Sequence, residues 1–149
     1  MRSVLKAASY HQAMGISDEK YISSTTYRKS GTPVATPTWI VPLDGGRVGF
    51  WTSSASGKAK RLGNNPKIVI QPSDARGRVK PGSAAVEGTV LLTTSGADFD
   101  AIQSKVRAKY GFGVQISRVF NTLGHLGKKF PYGDVGVVVT LAEIGRAHV

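Results

Sequence analysis

Residues 21–27 (YISSTTY) are rich in β-formers, residues 29–31 (KSG) read as a turn, and residues 34–43 resume an extended, β-branched pattern. That order predicts a hairpin. The DGG run at 44–46 is a second turn signal leading into residues 48–52, so the first three strands are expected to form an antiparallel meander. Residues 67–71 and 84–92 read as further strands separated by a polar Gly/Pro/Arg loop, and the apolar run 135–144 (VGVVVTLAEI) as a buried last strand. Pro33, Pro37 and Pro42 sit in or beside the second strand. Proline cannot donate to a ladder, so they imply an edge, a bulge or a lining turned to a ligand.

Two helices interrupt this pattern. Ser56 is placed to cap a short helix over 57–63, which the NNP run at 64–66 prevents from continuing. Phe99, Ile102, Val106 and Tyr110 recur at helical spacing, with Gly111 as the expected stop. A further helix is expected within 3–19, whereas the glycine-punctuated stretch 112–132 supports no assignment. About six antiparallel strands with two to four flanking helices, joined by hairpins rather than crossovers, predict a mainly β fold with some α, a small barrel forming one domain over 1–149.

Composition narrows the chemistry. The 149 residues hold no cysteine, which removes disulfides, thiolate nucleophiles and cysteine-ligated metals and suits a reducing, cytoplasmic setting. No stretch reads as a membrane span or a signal peptide. His11, His125 and His148 lie far apart, and no metal site is expected. No G-x-S-x-G elbow, Walker loop or carboxylate pair occurs, so no catalytic side chain can be named. Lys and Arg number 20 against 9 Asp and Glu, a net charge of +11. Seven basic residues (Lys58, Lys60, Arg61, Lys67, Arg76, Arg78, Lys80) fall within 23 positions that include one acid, Asp74. Such a chain is poor in acid–base groups and rich in anion-binding ones, a balance that suits chemistry carried by a cofactor.

The segment 50–66, FWTSSASGKAKRLGNNP, concentrates the signal. A helix N-terminus presents unpaired N–H groups, here framed by the hydroxyls of Thr52, Ser53, Ser54 and Ser56. Lys58 and Arg61, three apart, share a helix face and could meet one phosphate; Lys60 lies off that face, and Gly57 allows close approach. A capped surface helix with solvent-facing lysines is the plainer reading of the same residues.

The run GTPVATPTWIVPLDGGRVGFWTSSASGKAKRLGNNPKIVIQP, followed by VEGTV and KVRAKYG, resembles the split β-barrel flavoproteins related to pyridoxamine 5′-phosphate oxidase. Within them it is most similar to the actinobacterial deazaflavin-dependent branch that uses coenzyme F420. The resemblance implies that Thr36, Pro37, Thr38 and Trp39 line the cofactor ring and that Trp51 and Thr52 contact the ring or its ribityl chain. Ser53, Ser56, Gly57, Lys58, Lys60 and Arg61 are the implied phosphate region. Gly57 stands where the oxidases carry an arginine, and Thr36 and Val41 where they tend to carry a basic pair. Both departures favour F420 over FMN.

The implied activity is hydride transfer between reduced F420 and a small organic acceptor, in a homodimer with the cofactor at its interface. Arg76, Arg78 and Lys80 could extend a basic track for the anionic cofactor tail. An FMN-dependent oxidase or reductase, a non-catalytic F420 carrier and a basic nucleic-acid-binding barrel are the rival readings. Nucleic acid is disfavoured because Trp39 and Trp51 lie beside prolines and hydroxyls instead of alternating with basic residues.

Overall fold

The computed structural model describes residues 15–124 and 133–142. Seven antiparallel strands form one sheet: β1 (Tyr21–Tyr27), β2 (Pro33–Thr38), β3 (Val41–Pro42), β4 (Val48–Thr52), β5 (Lys67–Ser73), β6 (Val86–Thr93) and β7 (Val135–Leu141). Helix α1 (Gly57–Asn64) follows β4, and helix α2 (Ala97–Gly124) joins β6 to the segment before β7. The strand order is β2-β1-β5-β6-β7-β4-β3.

The sheet curls because its two edge strands are neighbours in sequence. β2 ends at Thr38 and β3 starts at Val41, so only Trp39 and Ile40 carry the chain from one edge to the other. A half-barrel, as expected of a split barrel, is the result. The single strand expected over 34–43 is therefore two strands, and the meander expected from the first three strands does not form. β2 pairs with β1, β3 with β4, and β4 with β7. Both pieces are edges, which is where prolines that lack an N–H can be placed without orphaning a partner.

Two apolar clusters flank the sheet. Inside the curl, Phe50, Ile22, Ile40, Ile68, Ile70, Val137 and Val139 pack together. On the outer face, Ile102, Val106 and Tyr110 of α2 cover Val41, Leu43 and Val138. β7 thus has both faces covered, which explains its unbroken apolar run, whereas β6 alternates buried and exposed positions. Asp98, in the first turn of α2, holds Arg47 through paired contacts of 2.9 and 3.0 Å.

The helix expected to stop at Gly111 instead runs to Gly124, with its dihedrals broken at Tyr110 (φ −119°, ψ 22°). Glycine permits a stop but does not impose one, since inside a helix it costs only about 1 kcal/mol. The expected final strand ends at Leu141, and its last two residues lie outside the described chain. Of the helix expected within 3–19, residues 15–17 are helical and Asp18 and Glu19 are not, while residues 3–14 lie outside the described residues, as does 125–132. Among the described residues no helix is long and apolar enough to cross a membrane.

The edge-to-edge corner is held from α2. The fully buried Ile40 donates its N–H to the Tyr110 hydroxyl at 3.1 Å, and that hydroxyl lies 2.9 Å from the Lys20 carbonyl. Lys109 Nζ donates to the carbonyls of Ser17, Glu19 and Ile40 at 2.5, 2.7 and 2.8 Å. Replacing Tyr110 with Phe leaves the Ile40 N–H buried without a partner, a loss of about 1–3 kcal/mol. Urea unfolding of Tyr110→Phe should show that drop with an unchanged m-value; a loss below about 0.5 kcal/mol would mean that the hydroxyl is dispensable to the corner.

Candidate functional site

Helix α1 starts as its sequence dictates. The Ser56 hydroxyl accepts the Ala59 N–H at 3.1 Å, and Ala59 and Leu62 are buried while Lys60 is exposed. This arrangement turns Lys58 and Arg61 toward the outer strands of the sheet. Lys58 Nζ donates to Thr38 Oγ1 at 2.8 Å, and Arg61 Nε donates to the buried Thr26 Oγ1 at 2.6 Å. Thr38 Oγ1 is in turn 2.7 Å from Ser24 Oγ, which lies 3.3 Å from Thr36 Oγ1. β1 and β2 thus contribute a row of hydroxyls because Ser24 pairs with Thr36 and Ile22 with Thr38 in the ladder.

A cleft of about 270 Å³ opens beside this row, lined by Tyr21, Pro37, Thr38, Trp39, Trp51, Lys58 and Ala75. Trp39 is stacked on Tyr110, with centroids 4.6 Å apart and planes 7° from parallel. A larger depression of about 590 Å³ lies around Glu87 and Thr140 and is lined by none of the expected site residues. It borders Ala142, where the described chain ends, and has no comparable cation among aromatic walls.

Lys58 is chemically the most unusual group. Its ammonium lies 5.4 Å from the centroid of the buried Phe50 ring, and no carboxylate pairs with it among the described residues. Part of the side chain is exposed, yet its charged end is enclosed. Burial, and secondarily the charge of Arg61, push the amine down to about 8. Arg61 also lies over the helix start: a Cβ at Gly57 would stand 2.8 Å from its Nη1. The guanidinium therefore occupies the space that a larger residue at 57 would claim.

Of the expected residues, the structure brings Pro37, Thr38, Trp39, Trp51 and Lys58 into the cleft. Thr36 joins through Ser24, and Gly57 and Arg61 lie behind Lys58. Lys60 is exposed and outside the cleft. The hydroxyl turn is partly consumed by its own structure. Ser53 Oγ accepts the Ala55 N–H at 3.1 Å, the Ser54 N–H goes to Asp134 at 2.8 Å, and Thr52 Oγ1 and Ser56 Oγ lie 3.0 Å apart. The backbone N–H groups of Gly57 and Lys58 have no partner among the described residues and are the donors left at the helix start. Burial pushes the Asp134 carboxyl up, but its bonds to Ser54 outweigh that and hold it below the usual range.

Sequence reasoning missed Tyr21, Ala75 and Asp134. Tyr21 reaches the cleft because it pairs with Ser73, which places the loop after β5 beside it. That register carries no local signal. His11, His125 and His148 lie outside the described residues.

A half-barrel with the Lys58 ammonium at one end of a cleft walled by aromatic rings, and Arg61 beside it, is the arrangement of a split-barrel domain. The family model for pyridoxamine 5′-phosphate oxidase matches residues 11–124, and the chain belongs to that family. Among solved structures it is similar to one described as an F420 reductase (19% identity, TM-score 0.56, covering 86% of this chain and 91% of that one). It is also similar to HupZ of Group A Streptococcus (14%, TM-score 0.60, 89% and 88%). A third is a putative pyridoxamine 5′-phosphate oxidase from Listeria innocua (14%, TM-score 0.55, 91% and 93%). At these identities the likeness is one of fold. No curated protein matches the sequence.

The Lys58 shift fixes a pH dependence. An anion bound at Lys58 restores a high pKa there, so binding takes up a proton above pH 8 and weakens as pH rises through that value. Sulfate, whose own charge is constant in this range, should lose up to about tenfold in affinity per pH unit above 8, and Lys58→Met should flatten the profile. The stability effect has the opposite sign. The folded amine, lowered from 10.5 to about 8, disfavours folding below pH 8 and stops doing so as pH rises from 8 toward 10.5. A wild-type affinity that is flat from pH 7 to 10 would remove Lys58 from the anion site.

Proposed function

We propose that the protein is an oxidoreductase that binds coenzyme F420 in the Pro37–Trp39/Trp51 cleft and transfers a hydride between it and a small organic acceptor. The observation that carries this reading is the Lys58–Arg61 pair, two cations held by hydroxyls with no acid between them, at one end of a cleft with aromatic walls. A cofactor phosphate supplies the missing negative charge. When bound, the ring provides the two-electron chemistry; the chain provides orientation and shielding. Lys58 and the amides of Gly57 and Lys58 would fix the phosphate, Thr36 and Thr38 the ring edge, and Trp39 and Trp51 the ring faces. Thr52, Ser53 and Ser56 shape the turn that presents the helix start, and Lys60 stands ready only for a part of the ligand outside the cleft.

Gly57 supports F420 over FMN. The second basic anchor would come from Arg61, one turn later, whose Nη1 lies over Gly57 where a side chain at 57 would begin. A homodimer with the cofactor at its interface belongs to the same proposal; Leu91 on β6, 65% exposed, offers an apolar contact for a second copy. A cytoplasmic setting, in which reduced cofactor is available, is the matching location.

Purified protein should bind F420 more tightly than FMN in fluorescence titrations, and Lys58→Ala should weaken F420 by at least about tenfold. Preference for FMN would transfer the assignment to a flavin, and tight F420 binding without turnover on any quinone or enone would make the protein a carrier. Binding of single-stranded nucleic acid that survives moderate salt would overturn the proposal.

The expected basic track is reduced by the structure to one residue. Arg78 is bound to Asp74 and Lys80 to Glu19, each at 2.7 Å, whereas Arg76 is exposed with no ion-pair partner among the described residues, beside the cleft residue Ala75. Arg76→Gln should therefore weaken an anionic-tailed cofactor several-fold at low salt, and Arg78→Gln or Lys80→Gln less. Equal effects of all three in a salt series would mean diffuse attraction.

A further inference from the structure

We propose that Gly133 is the specificity-determining residue of the cleft: it sets where the Trp51 indole stands, and so reserves the slot for a flat fused aromatic ring. The inference rests on the cofactor reading in that the ring would be the cofactor's, but the slot itself is a property of this chain.

A Cβ at Gly133 would lie 2.8, 3.1 and 3.2 Å from Cδ2, Cε2 and Cε3 of Trp51, so the indole is seated directly against the bare glycine. Gly133 also has a left-handed backbone (φ +63°), which favours glycine, so an alanine there carries backbone strain besides this contact. Gly133 is fixed by Gln103 Nε2, which donates to its carbonyl at 2.6 Å, and by Asp134, which accepts the Ser54 N–H at 2.8 Å. Trp51 is fixed by its ladder position opposite Gly136. Added bulk therefore presses on the indole, and the part of its effect that comes from this contact, as opposed to backbone strain, is the part that depends on the side chain at 51. Behind it lies the packed cluster of Val41, Leu43, Ile102, Val106 and Val138, and the Arg107 guanidinium lies 6.0 Å from its centroid. The cleft, which Trp51 lines together with Pro37 and Trp39, is the open direction. A methyl at 133 narrows the slot from the Trp51 side while leaving Lys58 and the helix start untouched.

The test compares wild type, Gly133→Ala, Trp51→Val and the double variant in equilibrium titrations. Three probes are used: F420, FMN, and 8-anilinonaphthalene-1-sulfonate as a flat anionic ring that is no cofactor. Sulfate binding reports on the Lys58 end. Gly133→Ala should weaken ring probes by at least about tenfold, the scale of one misplaced methylene in a pocket, and change sulfate by less than about threefold. The penalty should shrink when Trp51 is Val, because the ring atoms that meet the new methyl, Cδ2 first among them, are then gone, whereas backbone strain at 133 would persist. In a Trp39→Phe background, where Trp51 is the single tryptophan, Gly133→Ala should also shift its emission and its quenching by acrylamide.

Ring affinity within about threefold of wild type, an equal loss of sulfate, a penalty that persists in the Trp51→Val background, or an unmoved Trp51 signal would each overturn the proposal. If Gly133→Ala does not fold, the Trp51→Val pair is decisive: a folded double variant with ring affinity near that of Trp51→Val supports it, and an unfolded one, which backbone strain alone explains, overturns it. If wild type binds neither F420 nor FMN, the cofactor reading fails while the sulfonate probe still judges the slot.

Discussion

The two-residue crossing from β2 to β3 is the constraint on which the rest of the structure depends. A strand that leaves one sheet edge and joins the other must break its ladder, and here the break falls at Ile40, inside the core. Its N–H and C=O would both be orphaned there, at a cost that a small domain could not absorb twice. Tyr110 and Lys109, adjacent on α2, take them both, and the same two side chains collect the carbonyls of residues 17, 19 and 20. The break in helical dihedrals at Tyr110 lies where this grip is made. Burial pushes the Tyr110 hydroxyl up to about 12, so it keeps its proton as donor throughout the neutral range. Because Trp39 is part of the crossing and stacks on Tyr110, the corner that closes the barrel also fixes one wall of the cleft.

The opposite end of the cleft is organised by repulsion. Lys58 and Arg61 face the same way along α1, and each is satisfied by a hydroxyl instead of a carboxylate. Hydroxyls meet the geometric need of a donor without cancelling its charge, so the positive potential is retained in an enclosed place. Surface pairs such as Arg78–Asp74 and Lys80–Glu19 show that this chain does neutralise cations elsewhere. The uncompensated pair thus trades folding stability for readiness to accept an anion.

The legible part of this fold was local. The hairpin turn, the Ser56 cap, the edge positions of the prolines and the face shared by Lys58 and Arg61 follow from neighbours within a turn or a strand, and each is in the structure. The illegible part was long-range. Nothing within residues 34–43 signals that the strand changes partners, because what stabilises the break is a tyrosine and a lysine roughly seventy residues away. Tyr21 and Ala75 enter the cleft through the β1–β5 register, and Gly133 meets Trp51 through the β4–β7 pairing. The helix stop expected at Gly111 did not form, since a glycine inside a helix costs only about 1 kcal/mol and so does not by itself end one.

Position 57 shows how a single residue type can redirect an anion site. With glycine there, Arg61 folds back over the first turn of α1, its Nε bound to the buried Thr26 and its Nη1 in the space of the absent Cβ. The second cation therefore reaches the site only if α1 is helical and docked on β1, because its approach depends on the i to i+4 geometry of the helix. An arginine at 57 would need no such support, being part of the turn itself. On the proposed reading, anion binding would be linked to the docking of α1: an anion would relieve the repulsion between Lys58 and Arg61, and whatever holds α1 against Thr26 would strengthen the site in return.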